Sequence, residues 1–191
     1  MTLREQKKAV TRSTIEATGL RLFLERGFDE VRVEDICQEV LVHRRTFFRY
    51  FASKEDVVLS PFRRDLVEAA DFLPGRPAAE SLSESLRALC DVIAARFDND
   101  NDDDRQTNLA RLRLIAEVES LASAYLKVLA DFEHLLGGFL ADRSDTDARL
   151  AAAAAVTGFR VALETWRDTA AARPLRPMIR RNLDLLTAGM V

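Results

Sequence analysis

No apolar run in this chain approaches the roughly 20 residues that cross a bilayer, and its start, MTLREQKKAVTR, lacks the apolar centre of a secretion signal. A cytoplasmic protein with no membrane contact is therefore expected. Cysteine is scarce. Cys37 and Cys90 are the only two, and both fall at core-like positions of helical patterns, so buried free thiols are expected rather than a disulfide, a metal pair or a nucleophile. Seven Gly and five Pro among 191 residues argue against disorder, and no strand pattern or internal repeat appears.

Catalytic and metal-binding constellations are missing too. The two histidines, His43 and His134, lie far apart in the sequence. No Glu-x-x-His pair marks a di-iron bundle, and there is no Gly-rich phosphate loop or nucleophile elbow. Asp98, Asp100 and Asp102 mimic the opening of a calcium loop, but Asp103 stands where Gly is required and Leu109 where the closing Glu is required. The expectation is no enzyme, no metal and no cofactor.

What the chain has is apolar content, 48% of residues, in a background rich in Ala, Leu, Arg and Glu. This favours packed amphipathic helices, an all-α fold. Net charge is −3, which by itself speaks against nucleic acid, but its distribution matters more. Through Asp56 there are 11 basic and 10 acidic residues; beyond it there are 17 and 21. The positive charge gathers in Arg4, Lys7, Lys8 and Arg12 and in the segment His43–Lys54, and Val40 to Lys54 holds no acidic residue. An acidic remainder would repel DNA from the wrong face.

Helical spacing predicts a first helix from about Arg4 to Arg26, stopped by Gly27, with Phe28 turning back to the core. A second covers Val33–Val40 with Ile36, Cys37 and Val40 inward. A third runs from near Arg44 to near Phe51, with Arg44, Arg45, Arg49 and Tyr50 on one side and Phe47 and Phe51 on the other. Ser53 is the expected N-cap of a fourth helix, Lys54–Phe72, with Asp56 as capping-box acid and Pro61 as an internal kink. Leu73–Ala78 is a break. Then come a helix over Glu80–Phe97, a solvated acidic loop over Asp98–Asp104, and a stretch Thr107–Arg143 that is two helices or one bent at Gly137-Gly138. A turn at Ser144-Asp145 leads to an Ala-rich helix over Thr146–Ala172 and a last helix over Pro177–Ala188. About nine helices in all would make a small head, residues 1–53, and a larger body, residues 54–191.

A short cationic helix backed by aromatics is how a protein fits a duplex groove. The spacing Gly27-Phe28, Val33-x-x-Ile36, Val42, Arg45-Thr46-Phe47-Phe48-x-Tyr50-Phe51, Ser53-Lys54-Glu55 resembles the N-terminal domain of the TetR family of transcriptional regulators. The likeness covers about residues 10–60 and is most specific over Arg44–Val58. It implies a helix-turn-helix head on double-stranded DNA, a palindromic operator, a homodimer, and a divergent helical body that binds a small hydrophobic or amphipathic effector, most often in a repressor. Arg44 and Arg45 would face base edges, where a bidentate contact to guanine discriminates by roughly 1–3 kcal/mol. By the resemblance Thr46 reaches phosphate or a base edge, while Tyr50 and Lys54 contact phosphate. Arg49 adds electrostatic attraction. Phe48 replaces a common Tyr and is left with apolar contacts to a thymine methyl or a sugar.

Three positions depart from the family pattern. Leu41 occupies the usual Gly of the turn, where a left-handed backbone costs a non-Gly residue about 1–2 kcal/mol. His43 and Arg32 replace Ser or Thr caps, at about 0.5–2 kcal/mol each, and are candidates for phosphate contacts instead. In the body, Phe62, Phe97, Phe132, His134, Phe159 and Trp166 are candidates for a ligand pocket, with core packing the alternative for each. Arg113 is a candidate anchor for an anionic ligand, against the alternative of a helix-surface arginine. Leu150–Trp166 and Met178–Leu186 offer a dimer surface or ordinary intrachain core. Two rival readings remain: a helical ligand-binding or protein-interaction module whose head has lost DNA binding, and, ranked last because no acid–base or metal set is visible, a helical-bundle enzyme.

Overall fold

The structure, a computed structural model, describes residues 2–77, 79–98, 101–141 and 147–188. Within these the chain is helical, with nine α-helices, a short 3₁₀ turn and no strand. The helices are α1 (Leu3–Arg26), α2 (Val33–Val40), α3 (Arg44–Phe48), α4 (Lys54–Phe72), α5 (Leu82–Ala94), α6 (Asp102–Glu117), α7 (Glu119–Ala141), α8 (Ala148–Asp168) and α9 (Leu175–Ala188). They fall into two compact units, Met1–Pro61 with Leu114–Tyr125, and Phe62–Arg113 with Leu126–Val191. Helix α4 belongs to the first through Pro61 and to the second from Phe62.

In the first unit, α1 ends where expected. Gly27 adopts φ 91° and its N–H bonds to the Phe23 carbonyl, a conformation a side chain would strain. The chain then reverses so that the Phe28 ring lies 4.9 Å from that of Phe23. Gly19 marks close helix packing: a Cβ there would lie 2.9 Å from a Val57 methyl on α4. Ile36 and Cys37 are buried as expected, while Val40 is half-buried. The Ser53 hydroxyl accepts from the Asp56 N–H at 3.3 Å, and the Asp56 carboxylate reaches one residue past the cap to accept from the Ala52 N–H at 3.0 Å. Beneath these lies a polar cluster the sequence does not announce. The buried Ser60 hydroxyl accepts from Arg12 at 3.1 Å and donates to the buried Glu16 carboxylate at 3.0 Å.

The second unit is organised around α9. The Asn182 amide donates to the Gly158 carbonyl of α8 at 2.9 Å, and a Cβ on Gly158 would meet a Leu186 methyl at 2.9 Å. On its other side α9 is pinned to α5 by ion pairs from Arg87 to Asp184 and from Arg180 to Asp91. Trp166 and Phe97 meet edge-on with centroids 5.6 Å apart.

Several expected boundaries move. The acidic stretch is not one loop. The Asp98 carboxylate accepts from the Leu175 and Arg176 N–H groups and so caps α9 from a distant part of the chain, while Asp102, Asp103 and Asp104 form the first turn of α6, where the helix dipole favours negative charge. The break in Thr107–Arg143 falls at Val118, and Gly137-Gly138 stays helical within α7. The last two helices are Ala148–Asp168 and Leu175–Ala188. The turn expected at Ser144-Asp145 lies outside the described residues.

The stripe Val58, Phe62, Asp65, Ala69 is buried along α4, continues to Leu73 in the 3₁₀ turn that follows, and contains one carboxylate. Asp65 and Glu68 both pair with Arg96, which follows α5. Burial nonetheless outweighs the attraction of Arg96 and pushes the Asp65 carboxyl up to about 6 from 3.8. Glu68 raises it further, and Arg64 opposes. Between those two values the folded chain binds more protons than the unfolded one, so stability should fall as pH rises through this window and the penalty be complete above it. Urea midpoints should show a rise from about pH 7 to about pH 5 that Asp65→Asn diminishes; an identical rise in the variant would contradict the assignment.

Candidate nucleic-acid interface

Helices α2 and α3 form a helix-turn-helix in which the turn keeps the left-handed geometry despite its side chain. Leu41 sits at φ 57°, ψ 44° and is 91% exposed, so no contact of its side chain offsets the strain of about 1–2 kcal/mol. The Val42 N–H closes the turn onto the Cys37 carbonyl at 2.9 Å. His43 is extended and its side chain caps nothing; its carbonyl starts α3 by accepting from Thr46 and Phe47. The Arg32 N–H donates to the Asp35 carboxylate at 2.7 Å, so α2 keeps the acid's half of a capping box.

The third helix is shorter than expected and ends at Phe48. Arg49 and Tyr50 continue in a tighter turn, with N–H groups bonded to the carbonyls of Thr46 and Phe47 three residues back. This places Tyr50 on the buried side rather than with the arginines. It is 8% exposed, and its hydroxyl accepts from Arg49 at 3.2 Å. Phe47 and Phe51 are 0% and 1% exposed, which turns the opposite side of α3 outward.

That outer side carries Arg44, Arg45 and Phe48, all exposed, with Thr46 half-buried at its edge and Arg49 exposed beyond. Arg44 pairs with Glu34 at 3.0 Å and its guanidinium lies 5.5 Å from the Phe48 ring centroid. The two charged side chains are 67% and 56% exposed, so the pair is worth about 0–1 kcal/mol and yields readily to a stronger anion. Arg45 has no ion pair or hydrogen bond among the described residues. Arg32 and His43 are exposed at the starts of α2 and α3. Lys54 is turned inward: its ammonium donates to the carbonyls of Phe28 and Val31 at 2.8 and 3.3 Å and lies 4.3 Å from the Phe28 ring centroid. It braces the chain between α1 and α2, and only its remaining donor is left for a phosphate.

The ligand candidates separate by burial. Phe62, Phe97 and Trp166 are core residues, at 4%, 5% and 1% exposed. Phe132 and Phe159 are half-buried. His134 is exposed and lines an open cleft of about 720 Å³ between α7 and α8. Arg113 is exposed, and the buried arginine of α6 is Arg111, two residues earlier. Arg111 and Asp65 are buried ionisable residues of the body that the sequence pattern does not single out as such; the available signal at Asp65 is a charge interrupting an apolar helical stripe. Both cysteines are buried free thiols, and burial pushes Cys90 up to about 12.

Residues 15–60 match the family described as bacterial regulatory proteins, tetR family, and residues 83–191 match the MftR C-terminal domain. The chain belongs to the TetR family. It is 32% identical over 147 residues to the HTH-type transcriptional regulator TcmR of Streptomyces glaucescens, a match covering 76% of this chain and 65% of TcmR. It is 27% identical over 139 residues to a Mycobacterium tuberculosis protein named for regulation of mycofactocin biosynthesis, MftR, covering 73% of this chain and 68% of that one. Among solved structures, Thermus thermophilus FadR in complex with lauroyl-CoA aligns with a TM-score of 0.61 at 24% identity, covering 94% and 95% of the two chains. A SmeT–triclosan complex aligns with a TM-score of 0.64 at 16% identity, covering 94% of this chain and 91% of SmeT. At these identities the two structures establish the TetR fold.

The strained turn generates a stability prediction. Replacing Leu41 by Gly and His43 by Ser together should raise the urea midpoint by an amount corresponding to about 1–3 kcal/mol, after allowing for the backbone entropy of Gly. An unchanged midpoint would mean that the turn carries no strain.

Proposed function

We propose that this chain is a ligand-responsive transcriptional regulator, a repressor, that binds a palindromic operator as a homodimer. The observation that carries the reading is the pair Arg44 and Arg45, exposed at the start of a helix whose other side is buried through Phe47 and Phe51. In this reading residues 1–53 hold the DNA-binding function and residues 54–191 bind the effector and the second copy. Two copies of α3 would enter successive major grooves roughly 34–36 Å apart. Arg44 and Arg45 read base edges. Thr46 reaches a phosphate or a base edge and Phe48 a thymine methyl or a sugar, while Arg49, Tyr50, Arg32, His43 and the remaining donor of Lys54 hold the sugar–phosphate backbone.

The second copy is assigned to α8 and α9. Part of the stretch expected there is already covered within one chain, since Ala151, Ala152, Ala155, Ile179 and Leu183 are buried. What remains outward is Leu150, Thr157 and Val161, with half-buried Ala154 on the same stripe of α8 by helical spacing, together with exposed Leu185 and half-buried Met178 of α9. Leu150 and Leu185 are 62% and 65% exposed, and a four-helix seam between copies would cover them.

The effector is proposed to be small and hydrophobic or amphipathic. The lauroyl-CoA and triclosan complexes of the structural neighbours support this, as do the half-buried aromatic side chains Phe132 and Phe159 of the body. Because α4 is shared by both units, a ligand that moves its second half would be felt at its first. Such a ligand must prefer the state that DNA does not, and DNA must reciprocally weaken the ligand.

Selection of bound duplexes from a random pool tests the reading. The wild-type chain should enrich a palindromic site. Arg45→Ala should relax preference at one position of each half-site by about 1–3 kcal/mol, and Arg44→Ala at a neighbouring one. Unaltered affinity and preference in both variants would remove these residues from base reading.

A further inference from the structure

The first turns of α1 take no part in the core. Every residue from Thr2 to Val10 is exposed, Leu3 at 68% and Val10 at 63%, and full burial begins only at Ile15. Yet this end is fastened. The Thr2 N–H donates to the Glu5 carboxylate at 2.7 Å and the Glu5 N–H to the Thr2 hydroxyl at 3.3 Å, a complete capping box.

Arg4, Lys7, Lys8 and Thr11 recur at i, i+3, i+4 and i+7 and so share one face. They line a cleft of about 570 Å³ whose other wall is Arg49 and Tyr50. Four cations face it against the Glu5 carboxylate, which is already held by the capping box. The Tyr50 hydroxyl accepts from Arg49 and retains its own proton to donate. Such a cleft suits a chain of phosphodiesters. Arg4 to Thr11 spans about 10 Å of helix, long enough for more than one successive phosphate of a strand.

We propose that this cleft grips the sugar–phosphate backbone of the DNA duplex, with Lys7 and Lys8 as phosphate contacts and Arg49 and Tyr50 as the opposing wall. The proposal rests on the DNA-binding reading and adds to it a surface that touches no base. Its contribution is therefore indifferent to sequence and sensitive to salt.

The test titrates the full chain against a pool of short random-sequence duplexes over a salt series, using fluorescence anisotropy. In the double variant Lys7→Gln, Lys8→Gln, the slope of log affinity against log salt should shrink by about 2, at roughly 0.9 per phosphate contact. The bases selected from the pool should stay the same, and circular dichroism should show unaltered helix content. An unchanged slope overturns the proposal. Inorganic phosphate at matched ionic strength should displace the duplex no better than chloride does. Displacement that depends on Lys7 and Lys8 would mark a small-anion site and overturn it as well. A wild-type chain that binds no duplex at all defeats the DNA-binding reading itself, whereas duplex binding with a slope indifferent to these lysines defeats only this surface.

Discussion

Two phenylalanine rings decide which way the basic residues of the head point. Phe47 and Phe51 stand 5.7 Å apart, both almost wholly buried, and burying each contributes about 1.5–3 kcal/mol. With five residues and no side-chain cap, α3 has little stability of its own. Its orientation is set by these rings, not by its hydrogen bonds. The Arg12 guanidinium lies 5.0 Å from the Phe51 ring centroid and also donates to Ser60. The helix that presents Arg44 and Arg45 is thereby tied to α1 and α4. Strain at Leu41 and the missing cap at His43 are tolerated because the aromatic anchor outweighs them.

Much of the head was legible in the sequence because its signals are local. Gly27, the apolar spacing of α2, and Ser53 with Asp56 each act within a few residues, and each fixes an element boundary. The end of α3 was not legible. Whether Tyr50 continues a helix or folds back depends on tertiary packing, and periodicity alone places it with the arginines. Lys54 shows the same limit: a lysine at a helix start looks free until the carbonyls of Phe28 and Val31 are brought to it by the reversal after Gly27.

The body was less legible because its key contacts join distant segments. Asp98 looked like one more solvated aspartate, yet it caps α9 across 77 residues of sequence. Arg96, which pairs with both Asp65 and Glu68, drew no attention in a helix rich in ordinary surface charges. The Ala-rich run of α8 announces close packing but not against what, and in this chain much of it faces its own neighbours. Aromatic side chains in an all-helical body do not reveal from sequence whether they face a ligand or the core, and Phe62, Phe97 and Trp166 prove to be buried.

In the proposed DNA complex, buried aromatics aim two arginines at base edges. A crystal structure of the chain with a duplex recovered by selection tests this most directly. The expected complex has α3 within the major groove, with the Arg44 guanidinium released from Glu34 and both Arg44 and Arg45 within hydrogen-bond distance of base edges. A complex in which α3 faces away from the duplex, or in which Arg44 and Arg45 touch only their own chain, would contradict it.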